Sequence, residues 1–140
     1  MFRCLAKLYC LEACGWIECW IDEFIAELGD KRIGCQKHRK TLMESVKRTY
    51  GFEYEKHLRP LLINISGLKA VCATEAEMDA GVLAKMVASL ENLKTWRDKH
   101  AHTDSLGTQS LLVAPSACKA ELESAMKGLF LLRRTFRKFA

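Results

Sequence analysis

Apolar residues recur along this chain with helical rather than strand periodicity. Cys10, Cys14, Ile17, Ile21, Phe24 and Leu28 follow one another at steps of four, three, four, three and four. Such steps keep side chains on one face of an α-helix, so a long amphipathic helix is predicted over about Phe2–Leu28. Gly15 is a site for a kink or a close approach, and Gly29 and Asp30 are read as the stop. A second helix is predicted over about Gln36–Tyr50, with Leu42 and Val46 on its inner side and Lys and Arg outside. A third spans about Phe52–Ala73, its apolar face made by Leu58, Leu61, Leu62, Ile65 and Leu68. Pro60 must kink that helix or mark its true start, because proline lacks the N–H an interior turn needs. Thr74 followed three residues later by Glu77 has the form of a capping box, and predicts a fourth helix over about Glu75–His102. The stretch Thr103–Ser116 is a loop by composition. Pro115 suits the first turn of a fifth helix ending near Phe139, with Leu122, Met126, Leu129, Leu132 (or Arg133) and Phe136 inward.

Strict alternation of period two is scarce, so the fold class expected is all-α, an antiparallel bundle of about five helices. At 140 residues, about half of them hydrophobic, the chain is expected to form a single domain, 1–140, with a core of its own.

Charge adds a partner class. The net charge is a modest +5, but the cations are clustered. Lys31, Arg32, Lys37, Arg39, Lys40, Lys47 and Arg48 face a single acid, Glu44, between positions 31 and 48, and Arg133, Arg134, Arg137 and Lys138 crowd the last helix. Clustered positive charge is the footprint of a polyanion, although cations also suit helix C-termini and solvated faces. The seven cysteines contain no CxxC pair, and Cys35 with His38 makes only half of a zinc motif. They read as small buried hydrophobes, with no metal and no cofactor expected. The start of the chain resembles a signal peptide only superficially, since Lys7, Glu12 and Glu18 interrupt its apolar run. With no uncharged apolar run of spanning length, a soluble cytoplasmic protein without membrane contact is expected.

One short stretch stands apart: "TWRDKHAHTD", Thr95–Asp104. Leu83, Met86, Leu90 and Leu93 form a seam at steps of three, four and three, and its next two members are Arg97 and His100. A half-buried arginine needs an anion, either a carboxylate on another helix or a ligand. Asp98 lies one turn before His102, where it could orient that imidazole. A helix end decorated with cations is the blander reading. A metal site built from His100, His102, Asp98 and a cysteine has little support in the spacing.

The sequence "RDKHAH" resembles the R-x(4–6)-H motif of the HEPN superfamily, with Arg97 and His102 in the motif positions, polar Asp98 after the arginine and Ala101 before the histidine. The apolar "VLAKMVASLENL" before it and the early "WIECWIDEFIAEL" are similar to helices of HEPN domains from toxin–antitoxin and abortive-infection systems. The resemblance implies a metal-independent endoribonuclease in which the ribose 2′-OH attacks its own 3′ phosphodiester, leaving a 2′,3′-cyclic phosphate. His102 would move the proton and Arg97 would clamp the phosphate, with Asp98 orienting and His100 auxiliary or an alternative working histidine. RNA would be gripped by Lys99, Arg39, Lys40, Arg133 and Arg134. The resemblance further implies a homodimer, a role as toxin or antiviral defence effector, and a nucleotidyltransferase-like antitoxin as partner. Some members of the superfamily are inactive, so a helical dimer that binds RNA or a protein without cleaving is the alternative.

Overall fold

The computed structural model describes residues 2–102 and 113–140, and the side chains of Phe2, Arg3 and His102 fall outside that description. The described residues form six α-helices and no strand: α1 Phe2–Arg32, α2 Gln36–Arg48, α3 Arg59–Ser66, α4 Leu68–Glu77, α5 Ala80–His102 and α6 Pro115–Phe139. A single π-helical turn, Tyr54–Leu58, leads into α3. The chain is thus an all-α helical bundle.

Its core is made by the predicted stripes. All six stripe residues of α1 are at most 3–4 % exposed, and Leu58, Leu62, Met86, Leu90, Leu93, Leu129, Leu132 and Phe136 are fully enclosed. Burying a Leu, Ile or Phe contributes about 1.5–3 kcal/mol each, enough for these seams to fix which way every helix faces. The α5–α6 pair runs antiparallel, as Asn92 reaches Glu121 near one end and Met86 meets Gly128 further along. That approach is close: a Cβ at Gly128 would lie within 3.0 Å of three Met86 side-chain atoms. By contrast α1 and α6 run parallel, with Trp20 against Phe130, Phe24 against Phe136 and Glu27 against Arg133 and Arg137.

Three expected elements differ. The first helix does not stop at Gly29 but continues to Arg32, and no atom comes within 4 Å of where a Cβ would stand on Gly15. The expected third helix is divided at Gly67, whose φ of +84° and ψ of 159° only glycine adopts readily. Leu68 consequently leaves the apolar face and is 54 % exposed. Pro60 marks the start of α3, where its missing N–H costs nothing. Thr74 is not an N-cap. It sits inside α4, buried, with its hydroxyl donating to the Ala70 carbonyl 2.8 Å away. The cap of α5 is Asp79, whose carboxylate accepts the Val82 N–H at 2.9 Å. Both threonine and aspartate can cap, and the break at Gly67 decides between them, because the residues after it need Thr74 and Glu75 to complete a helix of their own. Of the expected loop, 103–112 lies outside the described residues, while α6 begins at Pro115 as expected.

Candidate functional site

Arg97 lies near the C-terminal end of α5, on the seam that carries Leu90 and Leu93 into the core. Its position forces the aliphatic stem inward while the guanidinium seeks an anion and a surface. The anion is Glu18, on α1, which accepts from Arg97 Nη1. Arg97 Nε stands 3.5 Å from Asp98 Oδ1, and the guanidinium lies over the ring of Phe52, 5.3 Å from its centroid. The side chain is 22 % exposed. The seam called for an anion, either a carboxylate on another helix or a ligand, and Glu18 of α1 is such a carboxylate. These contacts engage Nη1 and Nε, whereas a guanidinium carries five N–H donors in all.

The segment between α2 and the π-helical turn builds the other wall. Gly51 has a φ of +134°, and the His57 ring stands within 3.0 Å of the place a Cβ would take. Only glycine satisfies both demands. This sharp turn sends Phe52 into the core, fully buried beneath Arg97, and leaves Tyr50 outside at 84 % exposure. Between the walls lies a cleft of about 330 Å³, bordered by Glu18, Asp22, Lys47, Tyr50, Gly51 and Arg97. Partial desolvation within the cleft, and after it the neighbouring Glu18, raise the Asp22 carboxyl above its ordinary range, although the residue as a whole is exposed. Lys47 is exposed and has no ion pair among the described residues.

The expected site residues divide between this cleft and other places. Asp98 is held mainly by Lys94, one turn earlier, whose ammonium bond keeps its carboxyl below the usual range, with Arg97 adding to the effect. The backbone of His102 completes the last turn of α5, and its side chain lies outside the described residues. His100 is only 3 % exposed, with Nε2 unpartnered among the described residues, and burial chiefly, then Lys7, lowers its pKa. Lys99, next to it, is exposed. Arg39 and Lys40 border a separate groove of about 660 Å³ beside Asp30, with Arg39 Nη1 3.4 Å from that carboxylate. Arg133 is bound to Glu27 and stacked on Trp20 and Phe24, with ring distances of 5.7 and 5.8 Å, so it is engaged within the fold. Arg134 is exposed and unpaired among the described residues.

Glu18, Asp22, Tyr50 and Phe52 were not singled out as site residues from sequence, and Lys47 only as one cation of the cluster between positions 31 and 48. A trace of the first two is visible, since "WIECWIDE" sets acids into an apolar stretch. Nothing in the sequence marks Tyr50 and Phe52, because their placement depends on the Gly51 turn.

Among the described residues no three of His, Cys, Asp or Glu converge as metal ligands. None of the helices among them is long and apolar enough to cross a membrane. No family model matches the chain, and no curated protein or solved structure shows significant similarity to it.

Proposed function

We propose that this chain is a metal-independent endoribonuclease of HEPN type, acting as a toxin or defence effector in the cytoplasm. The observation that carries the reading is Arg97: a half-buried guanidinium at the wall of a cleft, five residues before a histidine on the same helix end. Phe52 and Glu18 hold that guanidinium in a fixed orientation, which is what a phosphate clamp requires. RNA phosphate would meet the donors that Glu18 and Asp98 leave unused, and a bidentate contact would offset the charge gathering on the phosphoryl oxygens.

His102 takes the proton of the attacking 2′-OH or supplies one to the leaving 5′ oxygen. His100 is the weaker choice for either task, because it is enclosed and a substrate could not reach it. A second copy of the chain would bring a second Arg97 and His102 to one scissile bond, so that one imidazole accepts while the other donates. The exposed cations of α2 and Arg134 supply the electrostatic attraction for RNA. An antitoxin of nucleotidyltransferase type is the partner that the resemblance to HEPN domains suggests.

The test is cleavage of a labelled RNA in EDTA, with product ends identified as 2′,3′-cyclic phosphate and 5′-OH. Arg97→Ala and His102→Ala should each reduce the rate by about 10²–10³-fold or more. Equal rates for both variants and the parent would remove the site assignment.

The alternative reading is a non-catalytic module that binds RNA or a protein partner. One observation favours it: Leu5, Leu8 and Trp16 are 56, 53 and 51 % exposed on α1, an apolar patch of the kind that marks contact surfaces. RNA left intact at every protein concentration, with a stable complex in its place, would select this reading.

A further inference from the structure

The cleft beside Arg97 has a composition that a phosphate clamp alone does not require. Its mouth carries an aromatic ring almost wholly in water, Tyr50 at 84 % exposure. Its wall carries two carboxylates, Glu18 and Asp22. Glu18 is committed to Arg97, whereas Asp22 has no ion pair or hydrogen bond among the described residues. Lys47 borders the same cleft, exposed and without an ion pair among the described residues.

These four features answer to one ligand. An exposed, flat ring gains from stacking on another π-face, and every nucleobase has one. A free cation at the same cleft suits a phosphate next to a stacked base. A carboxylate only accepts hydrogen bonds, so it favours a base edge rich in N–H groups. Guanine presents N1–H and the N2 amino group side by side, which a carboxylate's two oxygens meet together. Adenine and cytosine offer one amino group flanked by an acceptor. Uracil offers a single N–H between two carbonyl oxygens, which would face the negative charge of Glu18 and Asp22. The volume, about 330 Å³, is at the low end of small-ligand pockets and accommodates a single base.

We infer that this cleft is a nucleobase pocket selective for guanine, in which Tyr50 stacks on the base, Asp22 accepts from N1–H and N2–H, and Lys47 holds an adjoining phosphate. The inference rests on the ribonuclease reading in giving the pocket a biological substrate, and it extends that reading to a sequence preference: a guanine beside the scissile bond. The raised pKa of Asp22 agrees with a carboxylate that lacks donors until a ligand brings them.

The experiment has two arms on the full chain. The first titrates 5′-GMP, 5′-AMP, 5′-CMP and 5′-UMP separately into the protein, following its amide and Tyr50 ring signals by NMR. GMP should bind tightest and UMP weakest. Tyr50→Ala should weaken GMP by about 5- to 150-fold, the range that loss of one stacking contact gives. Asp22→Asn should abolish the preference for GMP while leaving residual stacking, because the amide replaces one acceptor by a donor. Both side chains are exposed, and matching melting curves will establish that the variants fold. Four equal affinities, no shift with any nucleotide, or GMP preference unchanged in Asp22→Asn would each overturn the pocket. The second arm maps cleavage sites on a mixed-sequence RNA. GMP bound selectively with the RNA uncut retains the pocket and removes the ribonuclease reading. RNA cut without regard to guanine removes the pocket's role in cleavage and retains the ribonuclease.

Discussion

Two places in this molecule use the same parts to different ends. In each, a glutamate of α1 holds an arginine over an aromatic ring. At one, Glu27 binds Arg133 of α6, which stacks on Trp20 and Phe24, and the same carboxylate also takes Lys31 and Arg137. At the other, Glu18 binds Arg97 of α5, which stacks on Phe52. The Glu27 cluster is saturated: Lys31 first, then Arg133 and Arg137, bring its carboxyl from an ordinary 4.5 down to about 2. The Glu18 pair is instead followed by a second acid, Asp22, whose carboxyl is pushed up, and by a cleft. An acid surrounded by cations contributes to stability and has no capacity left for a ligand. An arginine beside an excess of carboxylates, at the wall of a cleft, retains N–H donors for a further anion.

The largest expected consequence concerns chemistry. Arg97→Ala should reduce RNA cleavage by about 10²–10³-fold, whereas Arg133→Ala should leave the rate per folded molecule within about two-fold, since its guanidinium belongs to the α1–α6 contact. A gel assay on both variants, normalised to folded protein, distinguishes the two arginines. If Arg133→Ala is as inactive as Arg97→Ala, the contrast between the two places is lost.

Next is stability. Glu27→Gln removes the centre of a three-cation cluster and should cost about 1–2 kcal/mol, because half-exposed networks exceed single surface pairs only modestly. Glu18→Gln should cost about 0–1 kcal/mol, since the lost pair with Arg97 is offset by relief of repulsion with Asp22. Urea unfolding midpoints of the two variants give the comparison directly.

Acidity should separate the sites in sign. The Glu27 carboxyl is depressed in the folded chain, so its contribution is complete above pH 4.5 and is lost as pH falls toward about 2. The Asp22 carboxyl is raised above its ordinary 3.8, so the fold disfavours its charged form, and stability is gained as pH falls through the raised value. Asp22→Asn should remove that gain, and Glu27→Gln should flatten the acid limb, both read from denaturation midpoints across pH. A smaller effect comes from His100. Its depressed pKa means that stability is complete above the ordinary 6.5 and declines as pH drops below it, because a buried imidazole resists protonation. His100→Gln should abolish that slope.

The periodic seams were readable because burial acts on spacing alone. Met86, Leu90 and Leu93 are buried and Leu83 packs partly buried against the core, and the continuation to Arg97 and His100 carried the prediction that Arg97 would need an anion. The elements misread were those in which two local signals competed. Thr74 and Asp79 are both competent caps, and the choice was made by Gly67, which had looked like one more residue of a long helix. Lys40, Arg39 and Arg133 are all basic in the sequence, yet Arg133 is bound to Glu27 and packed against two rings while Arg39 and Lys40 border a groove of their own.

By itself the sequence determined that this protein is all-α, which faces of its helices are buried, and that a cation and imidazoles extend the seam of α5. Those properties follow from the 3.6-residue repeat and the cost of exposing apolar surface, both of which are local or one-dimensional. Only the tertiary structure decided which carboxylate meets Arg97, that Phe52 lies beneath it and Tyr50 outside, and that a cleft remains between α1 and the Gly51 turn. Glu18 and Arg97 are separated by 79 positions, and no periodicity relates residues so distant. Their meeting is set by the packing of whole helices against one another.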